Sequence, residues 1–433
     1  MAMDGKELVE KLAKLSQVQS IKDIPQLTHA LFPGTHCPLM GAAMAVGGIK
    51  DSLIVVVGTD ECTYYTKSMT IHSEKFGGID GRCVSVVLDD HEVTFGSAEK
   101  VQEAFKEIIE EYRPQCVFLV TTCVIEIIGD DFDAISEGLS ELYGIPVLPV
   151  HTEHFKCEDH LPGLERTITV CAEMMKSCDS DNSVNLLGQR MGDFATTELY
   201  AMLQKAGVKI GLQLPCGCSV DDIKNAAAAK VNIVVNDIAL PLAQKMQEKF
   251  GIPYVYFNKF VIPEKIYEAY KNLFGYLELE LPGELEGLYQ NAREKIEKNK
   301  GELEGITYIY GNTPYAVFEM NCFLSSLGMV PQVIQTNRYT EADEPYAKEI
   351  LQYTDPYVCK AANIAPLQYV YDVLSPYLYL GHEFGNRLRQ KGIAIVHSDR
   401  ASGMLGFEVT GYLLQQLVKS VREAKEYRKE LGL

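Results

Sequence analysis

The sequence predicts an α/β chain built from three Rossmann-like, doubly wound parallel-sheet domains. Short β-branched runs alternate with amphipathic helical stretches over the whole length, the rhythm that lays down parallel sheets with right-handed crossovers. Most of these runs are apolar nearly throughout, as strands buried on both faces must be. A length of 433 residues calls for about three domains at roughly 150 residues each.

The first unit, 1–182, has strand signals at Ser52–Gly58, Cys83–Leu88, Gln115–Thr122 and Pro146–Val150, with helices at Ala98–Tyr112 and Asp131–Tyr143. A polar run, Ser177–Ser183, closes it. The second, 183–300, has strands at Val184–Gly188, Val208–Leu214, Val231–Val235 and Pro253–Phe257, and helices at Thr196–Ala206, Leu240–Phe250, Pro263–Leu273 and Gly283–Asn299. Val208–Leu214 alternates apolar residues with Lys, Gly and Gln, which gives it one wetter face. A charged helix end, Asn299–Gly305, separates the third unit, 301–433, with strands at Ile306–Gly311, Val330–Gln335 and Ile393–His397. The long final helix, Phe407–Glu430, is expected to fold back on the first unit.

The composition excludes several classes. A net charge of −19 argues against a nucleic-acid surface and against an anionic membrane, both of which need clustered Lys and Arg. No apolar run reaches membrane-spanning length, and the opening segment lacks the apolar stretch of a signal peptide. A cytoplasmic location is expected, and there twelve cysteines do not form a disulfide framework. Neither a G-x-x-x-x-G-K-[ST] loop nor a G-x-G-x-x-G after a strand is present, so this chain is not expected to bind ATP or NAD itself.

Position sorts the cysteines. Cys37 precedes a Gly/Ala-rich helix, Cys62 follows strand Ser52–Gly58, and Cys123 follows strand Gln115–Thr122. The carboxyl edge of a doubly wound sheet is where ligands bind, and thiolates from separate loops can hold an iron–sulfur cluster there. By spacing alone, three unrelated buried cysteines are the better reading, because no C-x-x-C ties any two. Cys216-Gly-Cys218 follows another strand and can read as a metal or redox pair or as a tight turn with two thiols, the turn being slightly favoured. Cys83, Cys116, Cys171, Cys322 and Cys359 fall in apolar runs and read as core. Cys157, near His151, His154 and His160, matches no common zinc spacing. Asn236-Asp237, Asn312-Thr313 and His397-Ser-Asp stand at strand ends, where helix capping is the commoner role.

Three stretches then resemble one family: Cys37-Pro-Leu-Met-Gly-Ala42, Gly58-Thr-Asp-Glu-Cys62 and Thr121-Thr-Cys123-Val-Ile-Glu-Ile-Ile-Gly-Asp-Asp131, continued by Val184–Gly188, Ala227–Val235 and Glu248–Pro253. The chain resembles the nitrogenase component 1-like proteins over essentially its whole length. They comprise the nitrogenase α and β subunits, their cofactor-assembly scaffold, dark-operative protochlorophyllide reductase and Ni-sirohydrochlorin a,c-diamide reductive cyclase. The resemblance implies that Cys37, Cys62 and Cys123 ligate an iron–sulfur cluster at a subunit interface, a [4Fe-4S] cluster or a larger one like the nitrogenase P-cluster. It implies partners as well: an ATP-hydrolysing iron protein homodimer that carries the P-loop, and a second component 1 subunit in a homodimer or an α/β heterotetramer.

The resemblance has departures. The two ligands of the nitrogenase active-site cofactor, a Cys and a His, fall at Asn236 and near Leu405, and neither residue suits a soft iron site. Dinitrogen reduction on that cofactor is therefore not expected. A catalytic component passing electrons to a small-molecule substrate in the interdomain cleft is the leading expectation, and a tetrapyrrole-like substrate fits it. A metallocluster-assembly scaffold without turnover is the alternative. Asp60, Glu61 and His397 are candidates for proton delivery, and Cys216 with Cys218 for a second metal centre.

Overall fold

The computed structural model describes residues 4–27, 37–71, 81–157, 159–190, 192–258, 261–311, 317–360 and 364–433. Asn312 and Thr313, and the His36 beside Cys37, lie outside the described residues. Three parallel sheets follow one another along the chain. The first has the order Cys83–Val87, Ser52–Gly58, Cys116–Thr121, Val147–Val150, and the second Tyr254–Tyr256, Val231–Val234, Val184–Gln189, Ile210–Pro215. The third has six strands, Ala13–Lys14, Tyr357–Cys359, Val330–Gln335, Thr307–Tyr310, Leu378–Leu380 and Ala394–Val396. Within each sheet strand order reverses once, the signature of double winding.

Burial explains why the strands are apolar throughout. In Ser52–Gly58, Leu53, Val55 and Val57 pack with Phe105, Ile108 and Leu139 on one face. Ile54 and Val56 face the other way, into a core shared with Leu187, Leu214 and Val234 of the second sheet. A further core joins the second sheet to the third through Val184, Ile233, Tyr308 and Ile334. With side chains alternating across a strand, two buried faces leave few polar positions, and Asn185 and Asn232, both buried, satisfy each other, Asn185 Nδ2 donating to Asn232 Oδ1 at 2.8 Å.

Two placements differ from the sequence reading. The opening segment, grouped above with the first unit, adds to the third sheet: Ala13–Lys14 pairs antiparallel with Tyr357–Val358, and Leu8 and Leu12 pack with Val370 and Tyr371. The last helix, Glu408–Leu431, does not return to the first unit. Its apolar stripe, including Leu413, Leu417 and Val421, enters the core shared by the second and third sheets. Ser420 Oγ donates to Ile395 O at 3.0 Å, and Arg422 pairs with Glu302 at 2.8 Å. Ile210–Pro215 is an edge strand with Gly211 exposed, in keeping with its mixed pattern.

Candidate metal centre

The order of the first sheet puts its reversal between Ser52–Gly58 and Cys116–Thr121. Cys62 and Cys123 follow these two strands, so both open onto the crevice where the sheet changes direction. Cys62 lies in the first turn of the helix Asp60–Ile71, and Cys123 begins the short helix Cys123–Ile128. Cys37 arrives from another direction, as the N-cap of the helix Pro38–Gly47.

Glycines allow these elements to approach. A Cβ on Gly58 would stand 2.6 Å from Thr122 Cγ2 and closer still to its Oγ1. A Cβ on Gly163 would overlap the carbonyl of Pro38, and one on Gly41 the carbonyl of His160. The Cys37 helix thus crosses Leu161–Val170 at backbone contact. Arg82 fixes its other end by donating to Gly47 O at 3.0 Å, a carbonyl left open at the helix terminus, and to Ile49 O in the strand that follows at 2.5 Å.

The three thiols share one electrostatic neighbourhood. Burial, first, and then Cys62 and Cys37 push the Cys123 thiol above its ordinary range, while the N–H groups of Val124 and Cys123 favour its thiolate. All three sulfurs sit in half-buried residues, and Cys37 and Cys62 pack against the core between the first two sheets. Among the described residues, no three His, Cys, Asp or Glu side chains converge on a single ion. Three cysteines on three separate helix starts are a donor set of the kind a polynuclear cluster uses, in which each thiolate takes its own iron. These residues fit such a group, whose chemistry when bound would be one-electron transfer.

The other candidates divide. Asp60 and Glu61 are exposed in the first helical turn beside Cys62. Glu61's own N–H, then the Thr59 hydroxyl, hold its carboxyl below the usual range. His397 is exposed after the edge strand of the third sheet, and its carbonyl accepts from Tyr412 Oη at 3.3 Å. The structure does not bring it to the cysteines' sheet. Cys218 pairs in register with Ile49, just past the far end of the Cys37 helix, roughly 15 Å along that ten-residue axis. Burial, first, pushes its thiol up to about 12, whereas the Cys216 thiol donates to Arg190 O at 3.1 Å. Burial likewise raises Cys116, Cys171 and Cys359, as for inert core thiols. Cys157 lies 3.7 Å from an Arg166 nitrogen.

Asn236 ends at the reversal point of the second sheet, where its Oδ1 accepts from Ile238 N at 3.2 Å and caps a helical turn. Leu405 is 1% exposed. Crossed carboxylates pin its loop: Glu408 Oε1 accepts from Leu405 N at 3.1 Å and Glu198 N at 3.3 Å, and Glu198 Oε1 from Phe407 N and Tyr270 Oη at 3.0 Å.

Two residues escaped the sequence reading. Glu126 accepts three hydrogen bonds beside Cys123. Glu319 is 3% exposed, and its Oε1 has no hydrogen-bond partner among the described residues. Each is the lone acid of its helix, Glu126 among apolar residues and Glu319 beside Phe318 and Met320, and that is the signal that could have found them.

Comparison with known proteins agrees with this fold. The chain superposes on nitrogenase Cp1 at pH 6.5 with a TM-score of 0.78 at 15% identity, covering 92% of this chain and 94% of that one. It is 31% identical over 224 residues to the nitrogenase iron-molybdenum cofactor biosynthesis protein NifE of Clostridium pasteurianum, a match spanning 51% of this chain and 49% of that protein. It is 24% identical to the NifE protein of Rippkaea orientalis over 73% of this chain and 69% of that one. The nitrogenase molybdenum-iron protein alpha chain of Methanosarcina barkeri is 24% identical over 72% of this chain and 62% of its own length. The family model for nitrogenase component 1 type oxidoreductases matches residues 37–422, from Cys37 into the last helix, and the chain belongs to that family.

Proposed function

We propose that this chain is a scaffold subunit that holds an iron–sulfur cluster through Cys37, Cys62 and Cys123 while a larger metallocluster is assembled and passed on. The observation that carries this reading is the state of the two cofactor positions. Asn236 spends its carboxamide on a cap, and Leu405 is buried in a pinned loop. A cofactor held for turnover needs fixed ligands there, whereas a cargo in transit does not. Cofactor-biosynthesis proteins head the similar sequences, which supports the same reading. The resident cluster is proposed as [4Fe-4S], with a second component 1 subunit to complete its coordination.

Similarity to a nitrogenase alpha chain favours a second reading, a reductase that takes electrons from an ATP-dependent iron protein and reduces a tetrapyrrole-like substrate in the cleft. One experiment separates them. The anaerobically purified protein is loaded with a metallocluster and mixed with an acceptor apoprotein. Stoichiometric transfer of metal supports the scaffold, and catalytic turnover of a small substrate with iron protein and ATP supports the reductase.

A further inference from the structure

We infer that Glu126 is a positioning residue for the cluster, fixing Cys123 in place and lowering the cluster's reduction potential; this rests on the cysteine site proposed above. Glu126 lies three residues after Cys123 in the same helix, which puts the two side chains on one face, about 5–6 Å apart at Cβ. Its Oε1 accepts from Thr121 Oγ1 at 2.7 Å, Thr152 Oγ1 at 3.2 Å and Glu153 N at 2.6 Å. Thr152 N also donates to Thr121 Oγ1 at 3.2 Å. One carboxylate oxygen therefore ties the Cys123 helix to the end of its own strand and to the loop after Val147–Val150.

That loop is built to meet it. Glu153 has a left-handed backbone, φ 44°, a conformation costly for a residue with a Cβ. The turn presents Glu153 N to Glu126, and the Glu153 carboxylate meets Lys156 and Arg166, each at 2.5 Å. A cavity of about 330 Å³ opens beside Glu126, lined in part by Ile127, His151 and Phe155, so the site has a solvent side as well as a held side. The chain elsewhere in this helix is apolar: Val124, Ile125, Ile127 and Ile128. Hydrogen bonding alone needs only an acceptor oxygen, which Gln supplies equally. The charge adds a second effect. A carboxylate one turn from a ligand thiolate disfavours the more negative, reduced state of a cluster.

Glu126→Gln and Glu126→Ala separate the two effects. In the cluster-free protein, Cys123 should alkylate several-fold faster in Glu126→Ala than in the wild type, while Glu126→Gln matches the wild type. With cluster bound, Glu126→Gln should keep full iron content but titrate at a more positive potential, followed by the reduced cluster's electron paramagnetic resonance signal. Glu126→Ala should lose iron. Unchanged Cys123 reactivity in Glu126→Ala overturns the positioning role whether or not a cluster binds. An unchanged potential in Glu126→Gln overturns the electrostatic role. A wild type that binds no cluster overturns the site reading and the electrostatic role, and the alkylation result still decides the positioning role.

Discussion

Gly58 and Thr122 meet with no room for a side-chain carbon between them. Gly58 ends the strand that leads to Cys62, and Thr122 immediately precedes Cys123. The loops that carry Cys62 and Cys123 thus both depend on one contact. Gly58→Ala should force them apart, with an overpacking cost of about 1–3 kcal/mol and loss of most bound iron. Iron and acid-labile sulfide assays beside a denaturant melt check this. A variant with normal iron would show that the crevice tolerates the extra methyl.

Gly163 makes a similar contact on the Cys37 side, against the carbonyl of Pro38. Gly163→Ala should tilt the Cys37 helix and also lower iron content. Gly138→Ala is the control, because a Cβ there meets nothing within 4 Å. It should leave iron unchanged and, in a helix, match or raise stability by up to about 1 kcal/mol.

Glu319 should make stability depend on pH. Burial, first, pushes its carboxyl up to about 8, with Lys265 opposing and Asp237 adding to the rise. A carboxyl with a raised pKa binds its proton more tightly folded than unfolded. Its contribution is whole below the unfolded value of 4.5, declines as pH climbs toward about 8, and is then gone. Glu319→Gln removes this slope. Denaturant unfolding at several pH values between these limits should find the variant gaining on the wild type as pH rises, by a total on the order of 5 kcal/mol. Parallel pH profiles for the two proteins would show that Glu319 is ionised throughout.

The crossed carboxylates Glu198 and Glu408 should hold the Leu405 loop. Burial, first, raises the Glu198 carboxyl, although Phe407 N and Tyr270 Oη favour its charged form. Glu198→Ala leaves both donors unpaired, at a cost of about 1–3 kcal/mol. Amide exchange at Leu405 and Phe407 should accelerate while the first sheet stays protected. Equal exchange in variant and wild type would mean that packing alone holds the loop.

Much of this was legible because burial on two faces leaves a plain mark. Ser52–Gly58 and Val330–Gln335 have the observed bounds. Tyr357–Cys359 and Leu378–Leu380 are absent from the sequence reading, since a three-residue strand is too short to show a periodicity. Ala13–Lys14 escaped because its pairing spans the whole chain. The final helix was legible as an amphipathic element, but its partner was not, since a stripe does not name the surface it meets. Among the cysteines, spacing favoured coincidence and local motif resemblance favoured a site. The order of the first sheet, which supplies the crevice between Cys62 and Cys123, is a tertiary fact that no local pattern encodes. Glu126 was hidden for the same reason: two of its three donors lie on another loop.

The central claim is that Cys37, Cys62 and Cys123 hold one iron–sulfur cluster. Its most direct test is iron and acid-labile sulfide content, with the electron paramagnetic resonance spectrum of the reduced protein, after anaerobic purification of the wild type and of Cys37→Ala, Cys62→Ala, Cys123→Ala and Cys218→Ala. The account predicts a cluster in the wild type and in Cys218→Ala, and its loss in each of the other three. Iron-free wild-type protein that also resists anaerobic reconstitution, or a full cluster in any of those three variants, would contradict it.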